Sequence, residues 1–386
     1  KIGEKMKKIL YITNISNGVS SFSIAAVIVA KRLGIEFHLA GNFSGTEKEK
    51  LDQDRKKYGI QIHQVDLERS PYSPKNYKAY KQVVNIIREN KIEYIHCNTP
   101  IGGLLGRLAG KKCKVKKVIY QAHGFHFYGG APKKNWLIYY PIEKWLAHYT
   151  DVLITINSAD FKLAKSKLKL RRNGKVCYVH GVGIDLSKYI DLDDIRKKMR
   201  TKMNLNDSDV ALISVGELNA NKNNRIIIEA IEKLENEKIH YFLCGEGALE
   251  KELKELAEKK GVLDQVHFLG YRTDVKELLQ AADVFVMPSI REGLSRSIME
   301  AMASGLPCVV SRIRGNSDLI KDGEGGYLCE TKNVEQYVNA INQLLSISLR
   351  KKMGKKNLER IKKYSMEIVQ NELTTCYANI FGVHYE

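Results

Sequence analysis

Pro288-Ser289-Ile290-Arg291-Glu292-Gly293-Leu294-Ser295-Arg296-Ser297-Ile298-Met299-Glu300-Ala301-Met302-Ala303-Ser304-Gly305-Leu306-Pro307 reads as a strand end, a glycine-containing turn, a short helix, a glycine stop and the entry to another strand. A turn running straight into a helix offers free backbone N–H groups and a positive dipole end, a cradle for a diphosphate. Glu292 stands before the helix and Glu300 within it, eight residues on. That is up to ~12 Å if the interval were all helical. Two carboxylates so spaced can accept hydroxyl hydrogens from the two ends of one extended polyol-diphosphate ligand, each bond contributing about 1.5–3 kcal/mol. Read more plainly, Ser297 and Glu300 match the S-x-x-E capping box.

The same alternation runs outward in both directions. Strand-like runs are predicted at Lys8–Thr13, Glu36–Ala40, Gln61–Val65, Tyr94–Asn98, Val118–His123, Val152–Asn157 and Val176–His180. Helical patterns such as Ser21–Leu33, Pro74–Glu89 and Asn135–His148 fall between them. The pattern falters through Asp185–Asp209, then resumes with Val210–Val215, His240–Cys244, Val266–Gly270, Val284–Pro288, Cys308–Ser311 and Tyr327–Cys329. Asn223–Leu234 and Leu249–Lys260 are helical patterns of this second series. Such alternation predicts α/β architecture: two doubly wound parallel sheets covered by helices, over residues 6–184 and 185–364. Ser365 to Phe381 is helical in pattern and long enough to return across the linker, so a final helix, about 365–386, is expected on the first domain. Open α/β sheets bind ligands at the carboxyl ends of their strands, which places the expected site in a cleft between facing domains.

Composition excludes other classes. At 386 residues the chain exceeds what one core usually serves, and 44% hydrophobic with 28% charged residues rules out disordered and collagenous proteins. The longest apolar stretches, such as Ile24–Ala30, fall well short of the ~20 residues that span a bilayer. No charged segment leads into an apolar core and cleavage site, so no secretory signal is expected, and the residues before Met6 read as an added tail. The seven cysteines form no C-x-x-C pair and no zinc spacing, which fits buried thiols in a reducing cytosol.

The net charge of +19 is unevenly spread. Through Gly183 there are 33 Lys and Arg against 13 Asp and Glu; the remainder holds 30 against 31. An anionic partner, lipid or nucleic acid, is therefore expected to face the first half. Lys111, Lys112, Lys114, Lys116 and Lys117 surround one turn, and Lys133 and Lys134 follow. After Asn157 a helix is expected to carry Lys162, Lys165 and Lys169 on one face, with Arg171 and Arg172 beyond; a solvated face fits as well. Trp136-Leu137-Ile138-Tyr139-Tyr140-Pro141, with Trp145 and Leu146, suits an interfacial segment or a helix packed on the core.

The E-x7-E spacing of Glu292 and Glu300, inside P-S-x-x-E-G-L and followed by E-A-M-A-S-G-L-P, closely resembles the family 4 glycosyltransferases of the GT-B fold. The resemblance covers nearly the whole chain. His123-Gly124-Phe125-His126-Phe127-Tyr128 and Asn135-Trp136-Leu137-Ile138-Tyr139-Tyr140-Pro141-Ile142-Glu143 are similar to the bacterial capsule and exopolysaccharide branch. The resemblance implies that Glu292 contacts the donor sugar's hydroxyls and Glu300 holds the nucleotide ribose. It places Gly293, Leu294 and Ser295 at the diphosphate and sugar, and Gly216-Glu217-Leu218 with Lys222 in the phosphate loop. The family usually has a basic residue where Glu217 stands. Lys222 is thus the main cation expected at the leaving diphosphate, unless Arg291, Arg296 or the loop at Gly18 helps. Tyr271 and Arg272 fall where the family's loop meets the base, and His123 matches a histidine beside the donor sugar. Asn157 and Ser158, at the next strand end, are expected on the acceptor side.

Plainer readings stand beside these. A strand-end histidine such as His123 commonly serves as a structural hydrogen bonder; His126 and His180 are lesser candidates. Asn14-Ile15-Ser16-Asn17-Gly18 is not G-x-G-x-x-G, although Gly18 would permit close approach of a diphosphate. Asp191-Leu192-Asp193 and Asp207-Ser208-Asp209 fit a helix start and a turn, so neither a catalytic metal nor a cofactor is expected. No G-x-S-x-G or H-E-x-x-H occurs.

The resemblance implies a retaining, metal-independent transferase. It would move a hexose or N-acetylhexosamine from a nucleotide-diphosphate sugar, with UDP favoured, to a hydroxyl of a lipid-linked saccharide. The expected setting is the cytoplasmic face of an anionic membrane. A nucleotide-sugar epimerase of the same fold is the rival enzyme. A nucleic-acid binder is the rival from charge alone; no recognised binding module supports it, and no nucleic-acid partner is expected.

Overall fold

A computed structural model describes residues 6–189 and 193–382. Asp191 and Leu192 of the first acidic triplet lie outside the described residues, as does the segment before Met6. The chain divides into two compact units, Lys1–Gly183 with Met366–Glu386, and Ile184–Ser365.

Unit 1 alternates strand and helix in the order β1 (Lys8–Ile15), α1 (Ile24–Arg32), β2 (Glu36–Asn42), α2 (Lys48–Tyr58), β3 (Gln61–Gln64), α3 (Lys75–Glu89), β4 (Tyr94–Asn98), α4 (Pro100–Cys113), β5 (Lys117–Ala122), α5 (Lys133–Ala147), β6 (Val152–Thr155), α6 (Ser158–Lys167) and β7 (Lys175–Tyr178). Unit 2 continues with α7 (Asp193–Lys202), β8 (Val210–Val215), α8 (Arg225–Leu234), β9 (Ile239–Cys244), α9 (Glu250–Lys259), β10 (Val266–Gly270), α10 (Val275–Ala281), β11 (Val284–Met287), α11 (Arg296–Ala303), β12 (Cys308–Ser311), α12 (Asn316–Leu319), β13 (Gly326–Cys329), α13 (Val334–Gln343) and α14 (Ile347–Ile361). The final helix, α15 (Met366–Phe381), belongs to unit 1.

Both sheets are parallel, ordered β3-β2-β1-β4-β5-β6-β7 and β10-β9-β8-β11-β12-β13. Strands buried on both faces explain the near-continuous apolar runs: every residue of β11 and β12 is buried. The covering helices are amphipathic, as in α8, where Ile226, Ile227, Ala230 and Ile231 face the core. Each large aliphatic side chain buried this way stabilises the fold by about 1.5–3 kcal/mol.

Strand order reverses between β1 and β4 in unit 1 and between β8 and β11 in unit 2. At such switch points the connections leave in opposite directions and open a crevice beyond the carboxyl ends.

Candidate active site

The unit 2 switch point brings the quoted stretch against the loop after β8. Gly216 has φ +154°, a backbone conformation that side chains rarely adopt, and a Cβ there would press on Lys222 Cε at 3.0 Å. Lys222 Nζ donates to Glu292 Oε1 at 2.8 Å, tying the β8 loop to the β11 loop. Two backbone links support this contact: Ile290 N–H donates to the Asn221 carbonyl at 2.8 Å, and Asn221 Nδ2 donates to the Arg291 carbonyl at 3.0 Å.

The Gly293 carbonyl is packed onto Gly315, where a Cβ would lie 2.2 Å from that oxygen. In a trans peptide the Leu294 N–H then points the opposite way. Among the described residues, neither the Gly293 nor the Leu294 N–H finds an acceptor. Ser295 caps α11, its hydroxyl accepting from Ile298 N–H at 3.4 Å. Glu300 Oε1 accepts from Arg296 Nε at 2.8 Å, one turn away. Each motif carboxylate therefore has one oxygen held by a cation and a second, Oε2, with no protein donor among the described residues. Arg291 is exposed and makes no ion pair among the described residues.

In unit 1, a pocket of about 630 Å³ opens at the β1/β4 switch point, reaching Thr13, Asn14, Asn98, Thr99 and His123. Asn98 Nδ2 donates to the Ile12 carbonyl at 3.4 Å, which turns Asn98 Oδ1 toward His123 Nε2, 3.1 Å away. Nε2 must carry the proton, so Nδ1 is a bare acceptor; it is buried and has no partner. Burial pushes the His123 pKa down to about 4, keeping the ring neutral near pH 7. Asn14 Oδ1 is a second buried acceptor without a donor. Thr99 holds φ +64°, rare for a β-branched residue, while its hydroxyl caps α4 by accepting from Gly102 N–H at 3.3 Å.

Across nearly its full length the chain is similar to a Bacillus subtilis protein named as the glycosyltransferase EpsD. The two are 36% identical over 378 residues, covering 96% of each. The profile described as "Glycosyl transferases group 1" matches residues 195–360, and "Glycosyl transferase 4-like" matches residues 8–157.

The chain belongs to the glycosyltransferases.

An Escherichia coli relative, a UDP-Gal:alpha-D-GlcNAc-diphosphoundecaprenol alpha-1,3-galactosyltransferase, is 30% identical to this glycosyltransferase over 279 residues, covering 69% of this chain and 70% of the relative. The crystal structure of Anabaena HepE in complex with UDP has the same fold, with TM-score 0.78 and 17% identity over 96% of this chain and 100% of that one. The two Rossmann-like sheets are those of the GT-B glycosyltransferases.

Other expected residues of the glycosyltransferase prove to be engaged elsewhere. Asn157 is 0% exposed and caps α6: its Oδ1 accepts from Asp160 N–H and its Nδ2 donates to Asp160 Oδ2, both at 2.8 Å. Its amide is thus committed to Asp160, and Ser158 beside it is half-buried in the first helical turn. At Gly18, φ +93°, the open side is filled by Asp54, whose Oδ2 lies 2.2 Å from a hypothetical Cβ and accepts from Val19 N–H at 2.8 Å. A carboxylate there opposes a diphosphate. The capping box does not form, because the cap is Ser295 and not Ser297. Lys169, Arg171 and Arg172 lie beyond the end of α6, so only Lys162 and Lys165 of the expected basic face share its helix.

Arg272 is paired with Asp274 at 2.7 and 2.5 Å, whereas the Tyr271 ring is 76% exposed. Glu217 is exposed, and Asp209 accepts from Asn206 N–H in the turn expected for it. Among the described residues no three His, Cys, Asp or Glu side chains gather as metal ligands would. His180 pairs with Glu372 of α15 at 2.5 Å. Sequence reading missed Tyr189: burial, then the neighbouring Glu300 carboxylate, pushes its hydroxyl above the ordinary range. It missed Thr99, Asn14 and Asn98 too, since their roles depend on which strands become neighbours.

Proposed function

We propose that this glycosyltransferase moves a hexose or N-acetylhexosamine, with retention of configuration, from a UDP-sugar to a hydroxyl of a lipid-linked saccharide in capsule or exopolysaccharide synthesis. Unit 2 would hold the nucleotide sugar and unit 1 the acceptor. The observation that carries the reading is the Lys222–Glu292 contact at 2.8 Å, set beside the Gly293 and Leu294 amides, which find no acceptor among the described residues. A relative named for transfer from UDP-galactose to a diphosphoundecaprenol-linked sugar supports the donor and acceptor classes.

Each residue then has a task. Glu292 Oε2 accepts from the donor sugar's hydroxyls, and Glu300 Oε2 from the ribose. Lys222, the Gly293 and Leu294 amides and the start of α11 receive charge as it builds on the departing diphosphate. Tyr271 offers a face to the base. His123, neutral with Nδ1 bare, accepts from a sugar hydroxyl. The transition state is oxocarbenium-like, and the leaving phosphate can itself take the acceptor's proton, so neither a protein base nor a metal is required. Much of the rate then comes from holding both substrates in register.

Acceptor-dependent nucleotide release from a panel of UDP- and GDP-sugars with membrane extract tests this for wild type and Glu300→Ala. Release with a UDP-sugar that the substitution suppresses is expected. Conversion of the sugar without release would point to an epimerase, and release from GDP-sugars alone would overturn the choice of base.

A further inference from the structure

Two thiols meet where α15 crosses β7, the last strand of the unit 1 sheet. Side chains along a strand alternate between the faces of the sheet. Val176 packs on one face, and Tyr178 turns its ring to Phe161 of α6 at 5.9 Å. Cys177 and Val179 take the other face, in the cluster that holds Val369, Leu373 and Tyr377 of α15. Those three recur at i, i+4 and i+8 and form the seated stripe of the helix. Glu372 and Cys376 form the neighbouring stripe, one turn apart.

Glu372 fixes where that stripe lies. Its Oε2 accepts from His180 N–H at 2.9 Å, and its Oε1 meets His180 Nδ1 at 2.5 Å. Just beyond Cys376, the Tyr377 hydroxyl meets His96 Nδ1 of β4 at 2.6 Å. Cys177 precedes His180 on the strand as Cys376 follows Glu372 on the helix, and the two thiols share a hydrogen bond. The other cysteines are placed differently. Cys97, Cys244, Cys308 and Cys329 are buried, and Cys113 of α4 donates to the Val84 carbonyl at 4.0 Å.

The shared hydrogen bond divides the chemistry between the pair. It holds the Cys177 pKa down to about 7, against burial and with help from the Lys175 ammonium. The same contact, with burial, pushes Cys376 up. Near neutral pH Cys177 is thus the thiolate of the pair and Cys376 the thiol.

We propose that Cys177 and Cys376 are an oxidation site, closing to a disulfide when a hydroperoxide reaches them. The Cys177 sulfur attacks the peroxide: an S–O bond forms, the O–O bond breaks, and a sulfenic acid and hydroxide result. Cys376 gives its proton to that hydroxide. Its sulfur then attacks the Cys177 sulfur, forming the S–S bond and expelling a second hydroxide, which takes a proton from solvent. The two sulfurs lose two electrons in all, and the peroxide is reduced to two waters.

The bond would fasten α15 to the edge of its sheet. The chain crosses between the units after Gly183 and again after Ser365. Cys177 precedes the first crossing and Cys376 follows the second, so the disulfide closes a ring of about 200 residues containing all of unit 2. A ring that long removes much of the freedom of the unfolded chain. Oxidation therefore locks the helix that completes unit 1, and a thiol reductant releases it. In a reducing compartment, disulfides of this kind are transient sensors. The site does not depend on the proposed reaction.

Peptide mapping of the full chain without reductant, after treatment with hydrogen peroxide, tests the proposal. A cross-link between the peptides carrying Cys177 and Cys376 is expected, lighter by two hydrogens than the reduced pair. Oxidation is expected to raise the melting temperature by at least ~4 °C, and dithiothreitol to reverse the rise. Cys376→Ser is expected to melt with reduced wild type, to form no cross-link and to gain nothing from peroxide. Cys177→Ser gives the same readouts from the strand side, and Cys113→Ser should behave as wild type. Cys177 driven on to sulfinic acid without a cross-link would overturn the proposal. So would a disulfide joining two chains, or an equal rise in melting temperature in Cys376→Ser.

Discussion

Lys222 Nζ lies 2.8 Å from Glu292 Oε1, joining residues 70 apart in sequence across the point where the unit 2 strand order reverses. The ammonium has a partner before any ligand arrives, so it is positioned at no further entropic cost. Lys222→Met removes that charge. Turnover is expected to fall about 10²–10³-fold, the loss typical for one preorganised donor at a developing anion. Steady-state release of nucleotide measures it, and a loss under threefold would remove Lys222 from the leaving-group side.

Glu300→Ala should act on binding more than on turnover. Losing one hydrogen bond to a charged acceptor costs about 1.5–3 kcal/mol, roughly a 10- to 150-fold weaker Kd for UDP. Titration calorimetry with UDP reads it directly. Unchanged affinity would mean that Glu300 serves only its 2.8 Å pair with Arg296.

Gly315→Ala probes the turn that aims the Gly293 and Leu294 amides. A methyl there would sit 2.2 Å from the Gly293 carbonyl, at φ +78°, so the motif loop must shift. Backbone strain of this kind costs on the order of 1–3 kcal/mol. A lower melting temperature together with weaker UDP binding is the expected pair of results; stability and affinity both at wild-type level would refute the packing.

Acid should weaken unit 1. Burial pushes His96 down to about 3 and His123 down to about 4, below the 6.5 of a free ring. The unfolded chain therefore binds the extra protons, and stability present above pH 6.5 is lost as pH falls toward the folded values. The slope approaches ~1.4 kcal/mol per pH unit for each ring, or about 2 kcal/mol apiece between pH 6.5 and 5. Urea unfolding followed by exchange protection of β4 and β5 should show it. A midpoint unchanged over that interval would contradict the buried neutral rings.

The sheets were readable because parallel strands are apolar throughout. Tyr94–Asn98, Val210–Val215, Val266–Gly270 and Cys308–Ser311 coincide with observed strands. Val152–Asn157 ends early, at Thr155, because Asn157 turns to cap α6. α4 went unread because Gly102, Gly103, Gly106 and Gly110 look like breakers. In the fold they are contacts: a Cβ on Gly103 would strike the Tyr120 ring at 2.4 Å, and one on Gly106 would strike Cys97 at 2.6 Å. Thr99 and Pro100, a cap and a first-turn proline, were the available signal. In the candidate site, Glu292, Glu300 and Lys222 were legible from spacing and resemblance. The Arg296 pairing, the Gly315 backing and the His123 tautomer were not, since each depends on a neighbour supplied by the fold.

The last helix has a consequence for how the protein is made. Tyr377 of α15 hydrogen-bonds His96 at 2.6 Å inside unit 1, and Glu372 holds His180. A ribosome releases residues 366–381 only after all of unit 2 has emerged, so the half begun first is completed last. Until then His96 lacks the Tyr377 hydroxyl, and a chain cut short anywhere in unit 2 lacks the helix that supplies it. Nascent chains stalled before residue 366 should stay protease-sensitive in unit 1, which makes that unit a checkpoint for full-length synthesis.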